Sequence, residues 1–352
     1  MKELGIVCPC FNEVNHIRKF VDDIESQTVI GLDGYKVTIC FVDGMSNDGT
    51  YEILEEITES KSHINVLKNH NRYVSDGLNL SIAFFRKSPP DFLIRMDLHS
   101  VYPENYVELL VHNFEKISKT DKNIANVGVV LKTLPSDNQI TSQLIAKAIS
   151  SKFGVGTSDF RISKDNVAPK LVDTVPFGCF KFSIFDEVGL FDTDFIRNQD
   201  DEFNLRLTKY GYNIYLIPNV LVSYYARSDL IKLSRMFYQY GFYKPLVNYK
   251  LKRFASYRQF APLGLVLALI FSLVIAALNS LIPILFLLTI YVGVTLYFFY
   301  EQKLHLKSRK VLYLFESIRV LSTIHFSYGY GYGVGIMSIL LNKKIDNVPT
   351  SR

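Results

Sequence analysis

Several features that mark common protein classes are scarce or absent in this chain of 352 residues. It has only four cysteines, and their spacing fits neither a zinc site nor a thioredoxin-like pair, so we expect reduced core residues. No G-x-G-x-x-G sequence follows the first predicted strand and no Walker sequence is present, which disfavours a dinucleotide dehydrogenase and a P-loop ATPase. The net charge of +5 is modest and is not concentrated in a stripe, so we expect no nucleic-acid partner.

Charge is also absent from one long stretch, residues 261–300, which contains no Asp, Glu, Lys or Arg. A helix needs about 20 apolar residues to cross the hydrocarbon core of a bilayer, so this stretch is long enough for two. Asn279 and Ser280 divide it, which places the predicted helices at residues 261–278 and 281–300. Core helices of soluble proteins usually keep a polar face, and neither segment has a charged one. The sequence therefore predicts a transmembrane helical hairpin.

Basic residues flank this hairpin on both sides and predict its orientation. They are Lys250, Lys252, Arg253 and Arg258 before it, and Lys303, Lys307, Arg309 and Lys310 after it. Positive residues stay on the cytoplasmic side and are attracted to anionic headgroups, so both flanks should face the cytosol beside membrane lipids. The first apolar run, residues 4–10, is too short and interrupted for a signal peptide. We expect a multi-pass protein of the inner membrane whose N-terminal part is cytoplasmic.

The segment 320–341 leaves two alternatives open, a third span and an interfacial re-entrant segment. Apart from tyrosines, its only ionisable side chain is that of His325, which suits membrane contact. Residues 328–335, however, have glycine at every second position, and glycine has a low helix propensity. The pattern favours the interfacial alternative.

Apolar strand-like runs alternate with helical spacing through the first part of the chain. Predicted strands are residues 4–10, 36–42, 64–67, 91–96, 125–132 and 214–218, and predicted helices are 13–30, 50–57, 76–87, 139–153, 201–210 and 230–244. Such alternation is typical of an α/β fold with a mainly parallel sheet. We expect an α/β domain over residues 1–250 and a membrane-associated region over residues 251–352.

Ligands of open α/β sheets bind at the carboxyl ends of the strands, so the residues that end predicted strands are candidates. Asp43 ends the second predicted strand, where turn formation is its alternative role, and Asp48 is best explained as a helix cap. Asp97 and His99 follow the fourth strand and share a face through their spacing of two. A carboxylate beside an imidazole suits a divalent cation, with Mn²⁺ favoured over Mg²⁺, and a structural polar pair is the alternative.

A second acidic cluster, Asp200, Asp201 and Glu202, precedes a predicted helix. Acidic residues in a first helical turn are stabilised by the helix dipole, which would explain any one of them. Three consecutive acids exceed that requirement. One of them could accept a proton from a hydroxyl group as a general base.

In combination, these segments resemble glycosyltransferase family 2 over roughly residues 3–245. The matching segments are Pro-Cys-Phe-Asn-Glu at 9–13, Val-Asp-Gly-Met-Ser-Asn-Asp-Gly-Thr at 42–50, Asp-Leu-His at 97–99, and Asp-Asp-Glu at 200–202 followed by Arg206. Residues 95–103, 172–178 and 197–202 are similar to a membrane-anchored branch that includes succinoglycan-biosynthesis glucosyltransferases.

This resemblance implies a GT-A fold, which is Rossmann-like, an NDP-sugar donor that is often UDP-linked, a divalent metal, and inversion at the anomeric carbon. The donor-binding residues that it implies are Pro9, Phe11, Glu13, Asp43, Arg72 and Asp97. Asp97 and His99 would hold the metal, and Asp200 would be the catalytic base. His99 stands where the family has a second Asp, which leaves the metal open, and Gln199 replaces a common Glu, which leaves Asp201 as a rival base.

The implied function is transfer of a sugar from the nucleotide donor to a lipid-linked saccharide acceptor at the membrane, in cell-surface polysaccharide biosynthesis. Two alternatives remain. A polyprenyl-phosphate sugar synthase would use an acceptor that is already anionic and needs no strong base. A catalytically silent membrane scaffold would keep the fold and bind nucleotide sugar or lipid without turnover.

Overall fold

A computed structural model describes residues 1–156, 158–162, 168–278 and 280–342 of the chain. The chain divides into two compact units, the first made of Met1–Leu131 and Ser163–Tyr224, the second of Lys132–Ile162 and Tyr225–Arg352. The functional boundary expected near residue 250 stays a prediction. Asn279, which was expected to divide the apolar hairpin, lies outside the described residues.

The first unit is built on a mixed β-sheet. Its strands are β1 (Lys2–Cys10), β2 (Tyr35–Asp43), β3 (Ile64–Lys68), β4 (Phe92–Arg95), β5 (Ser100–Val101), β6 (Ile124–Leu134), β7 (Lys170–Leu171), β8 (Cys179–Lys181) and β9 (Asn213–Tyr225). They lie in the order β3-β2-β1-β4-β8-β6-β9-β5, with β7 beside β9. The first four strands in this order are parallel, whereas β8 pairs antiparallel with β4 and β6. The predicted α/β architecture is confirmed.

Helices connect the strands of this unit. They are α1 (Ile17–Glu25), α2 (Thr50–Ser60), α3 (Val74–Phe85), α4 (Tyr106–Ser118), α8 (Ile184–Glu187) and α9 (Gln199–Lys209), while α5 (Ile140–Ile149), α6 (Lys152–Val155), α7 (Asp159–Ile162) and α10 (Leu230–Leu251) belong to the second unit. The helix expected over residues 13–30 is shorter, because residues 11–16 form a loop tied to the start of α2 through Glu13 and Thr50. Helix α4 was not expected from the sequence, although its buried residues follow helical spacing.

The central strand β1 shows why the sheet forms. Leu4, Ile6, Val7 and Cys8 are all at most 1% exposed, because helices cover both faces of a parallel sheet. A continuous apolar run, rather than an alternating one, is the pattern that such a strand requires. All four cysteines are free thiols in this buried environment, as expected.

The two apolar helices predicted within residues 261–300 are also present, in the second unit. Helices α11 (Ala261–Ala277) and α12 (Ile282–Glu301) end within one residue of the predicted bounds. Both are long and apolar enough to cross a membrane, and few of their side chains are buried by the protein itself. A core hairpin of a soluble protein would bury most of them, so the exposed apolar surface agrees with membrane association.

Helix α13 (Lys310–Leu340) runs without interruption through the glycine-rich segment, which its low helix propensity did not favour. The segment is helical because its glycines let α10 approach closely. A Cβ atom at Gly331 would lie 2.2 Å from the carbonyl oxygen of Tyr238, and one at Gly335 would lie 2.4 Å from that of Phe242. Close packing of two helices offsets the low helix propensity of these glycines. The interfacial location that the sequence favours for residues 320–341 stays a prediction.

Candidate active site

The candidate site of the first unit lies at the carboxyl ends of β1, β2 and β4. In the sheet register Cys10 is the partner of Asp43, and Val7 is the partner of both Cys40 and Arg95. The three parallel strands therefore end at one edge, and the loops that follow them converge there. This is the edge at which open α/β sheets bind ligands.

The loops after β1 and β2 are joined through Asp43 and through Ser46, a residue that was not singled out from the sequence. The Asp43 carboxylate accepts hydrogen bonds from the backbone N–H of Ser46 (2.9 Å) and from its hydroxyl group (2.5 Å). The Ser46 hydroxyl oxygen accepts a hydrogen bond from the backbone N–H of Asn12 at 2.8 Å. Asp43 is 1% exposed, so in this conformation its carboxylate shapes the turn that begins at Gly44.

Asp48 joins the same two loops, as a cap-like residue. Its carboxylate accepts hydrogen bonds from the N–H and the hydroxyl of Thr50, the first residue of α2, and from the N–H of Val14. Partial burial would raise the pKa of Asp48, but these hydrogen bonds outweigh it and hold the pKa below the usual value. The N-cap position itself is occupied by Gly49, so the capping interpretation of Asp48 is wrong by one residue, although Asp48 still accepts the N–H of the first helical residue.

Three predicted site residues lie close together at this edge of the sheet, namely Glu13, Asp97 and His99. His99 Nε2 lies 2.8 Å from Glu13 Oε1, and the backbone N–H of His99 donates to Asp97 Oδ1 at 3.0 Å. Glu13 is buried, Asp97 is half-buried and His99 is exposed. The sequence interpretation counted Glu13 among the donor-binding residues and predicted no contact between it and His99.

The donor chemistry of Asp97 and His99 fits a divalent cation. A carboxylate oxygen and an imidazole nitrogen come from one loop, two residues apart, and both side chains are at least partly accessible. Among the described residues no group of three or more His, Cys, Asp or Glu side chains is arranged as a complete metal cage. Cations that also bind substrate phosphates need only one or two protein ligands, so a complete cage is not required for this fit.

Asp200 lies at the start of α9 and is paired with a buried arginine. Arg95 Nη1 is 2.6 Å from Asp200 Oδ1, and the Arg95 side chain is 7% exposed, whereas that of Asp200 is 27% exposed. Burial raises the pKa of Asp200, the positive charge of Arg95 lowers it, and the negative charges of Asp201 and Asp97 raise it. The net direction is upward, which makes the ionised carboxylate a stronger base than an ordinary aspartate.

Arg95 is itself positioned by the turn at residues 176–178. Its backbone N–H donates to the Gly178 carbonyl at 3.0 Å, and its guanidinium lies 5.5 Å from the centre of the Phe177 ring. Gly178 has a φ of 90°, and a Cβ atom there would lie 2.4 Å from Asn126 Oδ1, so only glycine fits. Asn126 in turn donates to Asn204 Oδ1 on α9 at 2.9 Å.

The other acidic residues of α9 have different surroundings. Glu202 is 1% exposed and accepts two hydrogen bonds of 2.8 Å from Arg206, which also donates to the carbonyl groups of Val188 and Leu190. Glu202 therefore stabilises the fold. Asp201 is half-buried in the same first helical turn as Asp200.

The remaining predicted donor-binding residues surround the first two loops. Pro9 and Phe11 are half-buried at the end of β1, and Arg72 is exposed with a φ of 67°. The carbonyl oxygen of Arg72 is 3.3 Å from where a Cβ atom of Gly44 would lie, so the loop at residues 69–73 lies against the turn after β2. The structure thus places Pro9, Phe11, Asp43 and Arg72 near one another.

Sequence reasoning missed the role of Arg95. The available signal was a charged residue that ends the otherwise apolar, fully buried strand β4. A buried guanidinium needs a partner of opposite charge, but the sequence did not show which of the acidic residues supplies it. The partner is 105 residues further along the chain.

Comparison with known proteins identifies relatives of this chain. The family model described as Glycosyl transferase family 2 matches residues 5–185. A curated relative from Methanococcus voltae, dolichyl N-acetyl-alpha-D-glucosaminyl phosphate 3-beta-D-2,3-diacetamido-2,3-dideoxy-beta-D-glucuronosyltransferase, is 30% identical over 250 residues, which cover 70% of this chain and 74% of the relative. Succinoglycan biosynthesis protein ExoA of Rhizobium meliloti is 27% identical over 281 residues, 79% of this chain and 80% of that protein.

One solved structure covers nearly the whole chain. The mannosyltransferase PcManGT from Pyrobaculum calidifontis, in complex with GDP-Man and Mn²⁺, has a TM-score of 0.57 and 17% identity, over 97% of this chain and 87% of that one. At this identity the likeness concerns the fold.

Proposed function

The chain belongs to glycosyl transferase family 2, and from this membership we propose that it moves a sugar from a nucleoside-diphosphate donor to a lipid-linked saccharide at the membrane surface. The sequence-based expectations of a family 2 glycosyltransferase and of a GT-A-like fold are confirmed. In the proposal the product belongs to a cell-surface polysaccharide and the anomeric configuration is inverted. The observation that carries it is the 2.6 Å contact of Asp200 Oδ1 with Arg95, which places this carboxylate beside the end of β4, the strand that is followed by Asp97 and His99.

On the donor side, Phe11 and Arg72 are accessible enough to contact the nucleotide, and Pro9 lies beside them. Asp43 supports this surface, since its hydrogen bonds to Ser46 fix the turn after β2. We expect the base to be uracil, as in many members of the family. The Pyrobaculum protein is solved with GDP-Man, which supports a nucleotide-sugar donor for this chain and leaves the base open.

Asp97 and His99 would hold a divalent cation, Mn²⁺ or Mg²⁺, at the donor diphosphate. When bound there, the cation would offset negative charge that grows on the leaving group. The Mn²⁺ bound in the Pyrobaculum structure supports a divalent cation for this chain, and the assignment of its ligands rests on Asp97 and His99 alone. Glu13 orients the His99 imidazole through the 2.8 Å contact at Nε2.

Asp200 is the proposed catalytic base. The acceptor hydroxyl oxygen forms a bond to the anomeric carbon, the bond from that carbon to the diphosphate oxygen breaks, and the hydroxyl proton passes to the Asp200 carboxylate. The nucleoside diphosphate leaves with the electron pair of the broken bond. Arg95 favours the ionised form of Asp200 against the effect of burial, because its positive charge lowers the pKa.

The membrane explains the choice of acceptor. The apolar helices α11 and α12 would anchor the enzyme as a multi-pass protein with its catalytic domain in the cytoplasm. A lipid-linked saccharide presents its hydroxyl groups at the same surface. The Methanococcus relative is named for an acceptor of this kind, dolichyl N-acetyl-alpha-D-glucosaminyl phosphate, which supports a saccharide acceptor over a bare polyprenyl phosphate.

The polyprenyl-phosphate synthase and the silent scaffold remain the rival functions. A transfer assay with the full chain in proteoliposomes separates them, using a panel of NDP-sugars with Mn²⁺ and either a polyprenyl-diphosphate saccharide or a polyprenyl monophosphate as acceptor. The proposal predicts sugar transfer to the saccharide and release of the nucleoside diphosphate. Transfer to the monophosphate alone would favour the synthase, and donor binding without transfer to either acceptor would favour the scaffold.

A further inference from the structure

The connection between α12 and α13 combines positive charge with exposed apolar side chains. Four basic residues, Lys303, Lys307, Arg309 and Lys310, are all exposed within eight positions, and no acidic residue lies among them. Leu306 is 72% exposed and Val311 is 77% exposed. We call residues 303–315 the basic collar.

The collar is held in place by its own buried residues. Leu304 is fully buried in an apolar cluster that contains Phe298, Phe299 and Tyr313, and the His305 ring packs on Tyr300 with a centroid distance of 4.9 Å. The charged and apolar side chains that stay exposed are therefore presented by a fixed turn and not by a loose linker.

The first turns of α13 have two distinct faces. Tyr313, Glu316 and Ser317 point into the protein, whereas Val311, Leu312 and Phe315 are exposed on the other side. An open groove of about 620 Å³ is lined by Ser308, Arg309, Lys310, Val311, Leu312 and Phe315. The groove is therefore lined by two cationic side chains next to apolar ones.

We propose that the basic collar is a binding site for the headgroup of an anionic phospholipid. The charge selects a phosphate-bearing, net negative headgroup, and the exposed apolar face suits the start of the acyl chains. The collar begins two residues after the end of α12, an apolar helix that is long enough to cross a membrane. The basic and apolar side chains of the collar therefore follow directly on a candidate membrane span. This site is additional to the donor and acceptor sites of the sugar transfer.

The absence of tryptophan from the chain allows a direct test. A single tryptophan, Val311→Trp, reports on lipids at the collar, and Ile290→Trp reports on lipids at the middle of α12, where Ile290 is 48% exposed. Each full-length variant is placed in nanodiscs of phosphatidylcholine with a minority of phosphatidylglycerol. Bromine is carried on the acyl chains of one lipid or the other, and fluorescence quenching is measured.

The proposal predicts that brominated phosphatidylglycerol quenches the tryptophan at position 311 about twofold or more above brominated phosphatidylcholine, after correction for the mole fraction of each lipid. The reason is that each basic residue near an anionic surface changes partitioning by about fivefold. The tryptophan at position 290 should show no preference. Adding Lys307→Gln, Arg309→Gln and Lys310→Gln should remove the preference at position 311. Removing the same number of charges at the exposed Lys116, Lys119 and Lys122 should leave it intact.

Equal quenching by the two lipids at position 311 would overturn the proposal. So would a preference that survives loss of the three collar charges. A third outcome would also contradict the proposal, namely that neither brominated lipid quenches the tryptophan at position 311 while position 290 is quenched. That result would show that protein covers the collar, as in a dimer of this chain. None of these outcomes depends on glycosyl transfer, so the test is independent of the proposed function.

Discussion

Arg95 Nη1 lies 2.6 Å from Asp200 Oδ1, a contact that joins the end of β4 to the start of α9. The Arg95 side chain is buried and therefore held in place, whereas the Asp200 side chain is partly accessible and can contact a substrate. The Arg95 charge opposes the effect of burial on the pKa of Asp200. Arg95 is therefore a positioning residue for the proposed base.

Loss of the Arg95 charge should change the pH dependence of transfer. In Arg95→Met the pKa of Asp200 should rise further, and because the base acts in its ionised form, the acid limb of the rate profile should move to higher pH, by about one unit or more. Arg95→Lys retains the charge and should shift the limb less. The pH profile of kcat/KM for the two variants checks this, with thermal unfolding confirming that both are folded. An acid limb that stays in place in Arg95→Met would contradict the assignment.

The proposed cation site predicts a graded response at position 99. Asp97→Asn should abolish transfer, and His99→Asp should retain more activity than His99→Ala, because a carboxylate can replace imidazole as a ligand and a methyl group cannot. Activity with added Mn²⁺ and with excess EDTA is the measurement. Full turnover in EDTA, or equal activity of the two His99 variants, would count against a metal at this position.

Helix packing in the second unit predicts a contrast between two glycines of α13. Gly331→Ala should lower the thermal stability of the protein in detergent, since its Cβ atom would overlap the Tyr238 carbonyl and such overpacking costs about 1–3 kcal/mol. Gly333→Ala is the matched control, because its Cβ atom would meet only Leu263 Cδ1 at 3.5 Å, an ordinary contact. That variant should be as stable as the native protein, or more stable by about 1 kcal/mol through helix propensity. Equal melting temperatures for both variants would contradict the packing account.

Membrane orientation can be tested with introduced cysteines, since all four native cysteines are buried. In intact cells, a cysteine at Lys303 should be protected from a membrane-impermeant thiol reagent, whereas a cysteine at Ser280, at the tip of the hairpin, should react. The reason is that the basic flanks stay in the cytoplasm. Labelling at position 303 with protection at position 280 would reverse the proposed topology.

The sequence predicts those parts of the fold that depend on local pattern. The buried run of β1, the two apolar helices and the acidic residues at the strand ends all follow from short segments. Pairings between distant segments do not, and so the Arg95–Asp200 and Glu13–His99 contacts needed the structure. The sequence did not favour a helix at residues 328–335 for the same reason, because that helix depends on contact with α10 and not on local propensity.

The central claim is that Asp200 accepts the proton of the acceptor hydroxyl, and its most direct test compares transfer rates of Asp200→Asn and Asp201→Asn. Asn keeps the shape of Asp200 but loses its charge, so transfer should fall by about 10²–10⁴-fold, while affinity for the NDP-sugar should barely change. Asp201→Asn should cost only about 0.3–1 kcal/mol of stability through the helix dipole, with little change in rate. A larger loss of rate at Asp201 than at Asp200, or unchanged transfer in Asp200→Asn, would contradict the account.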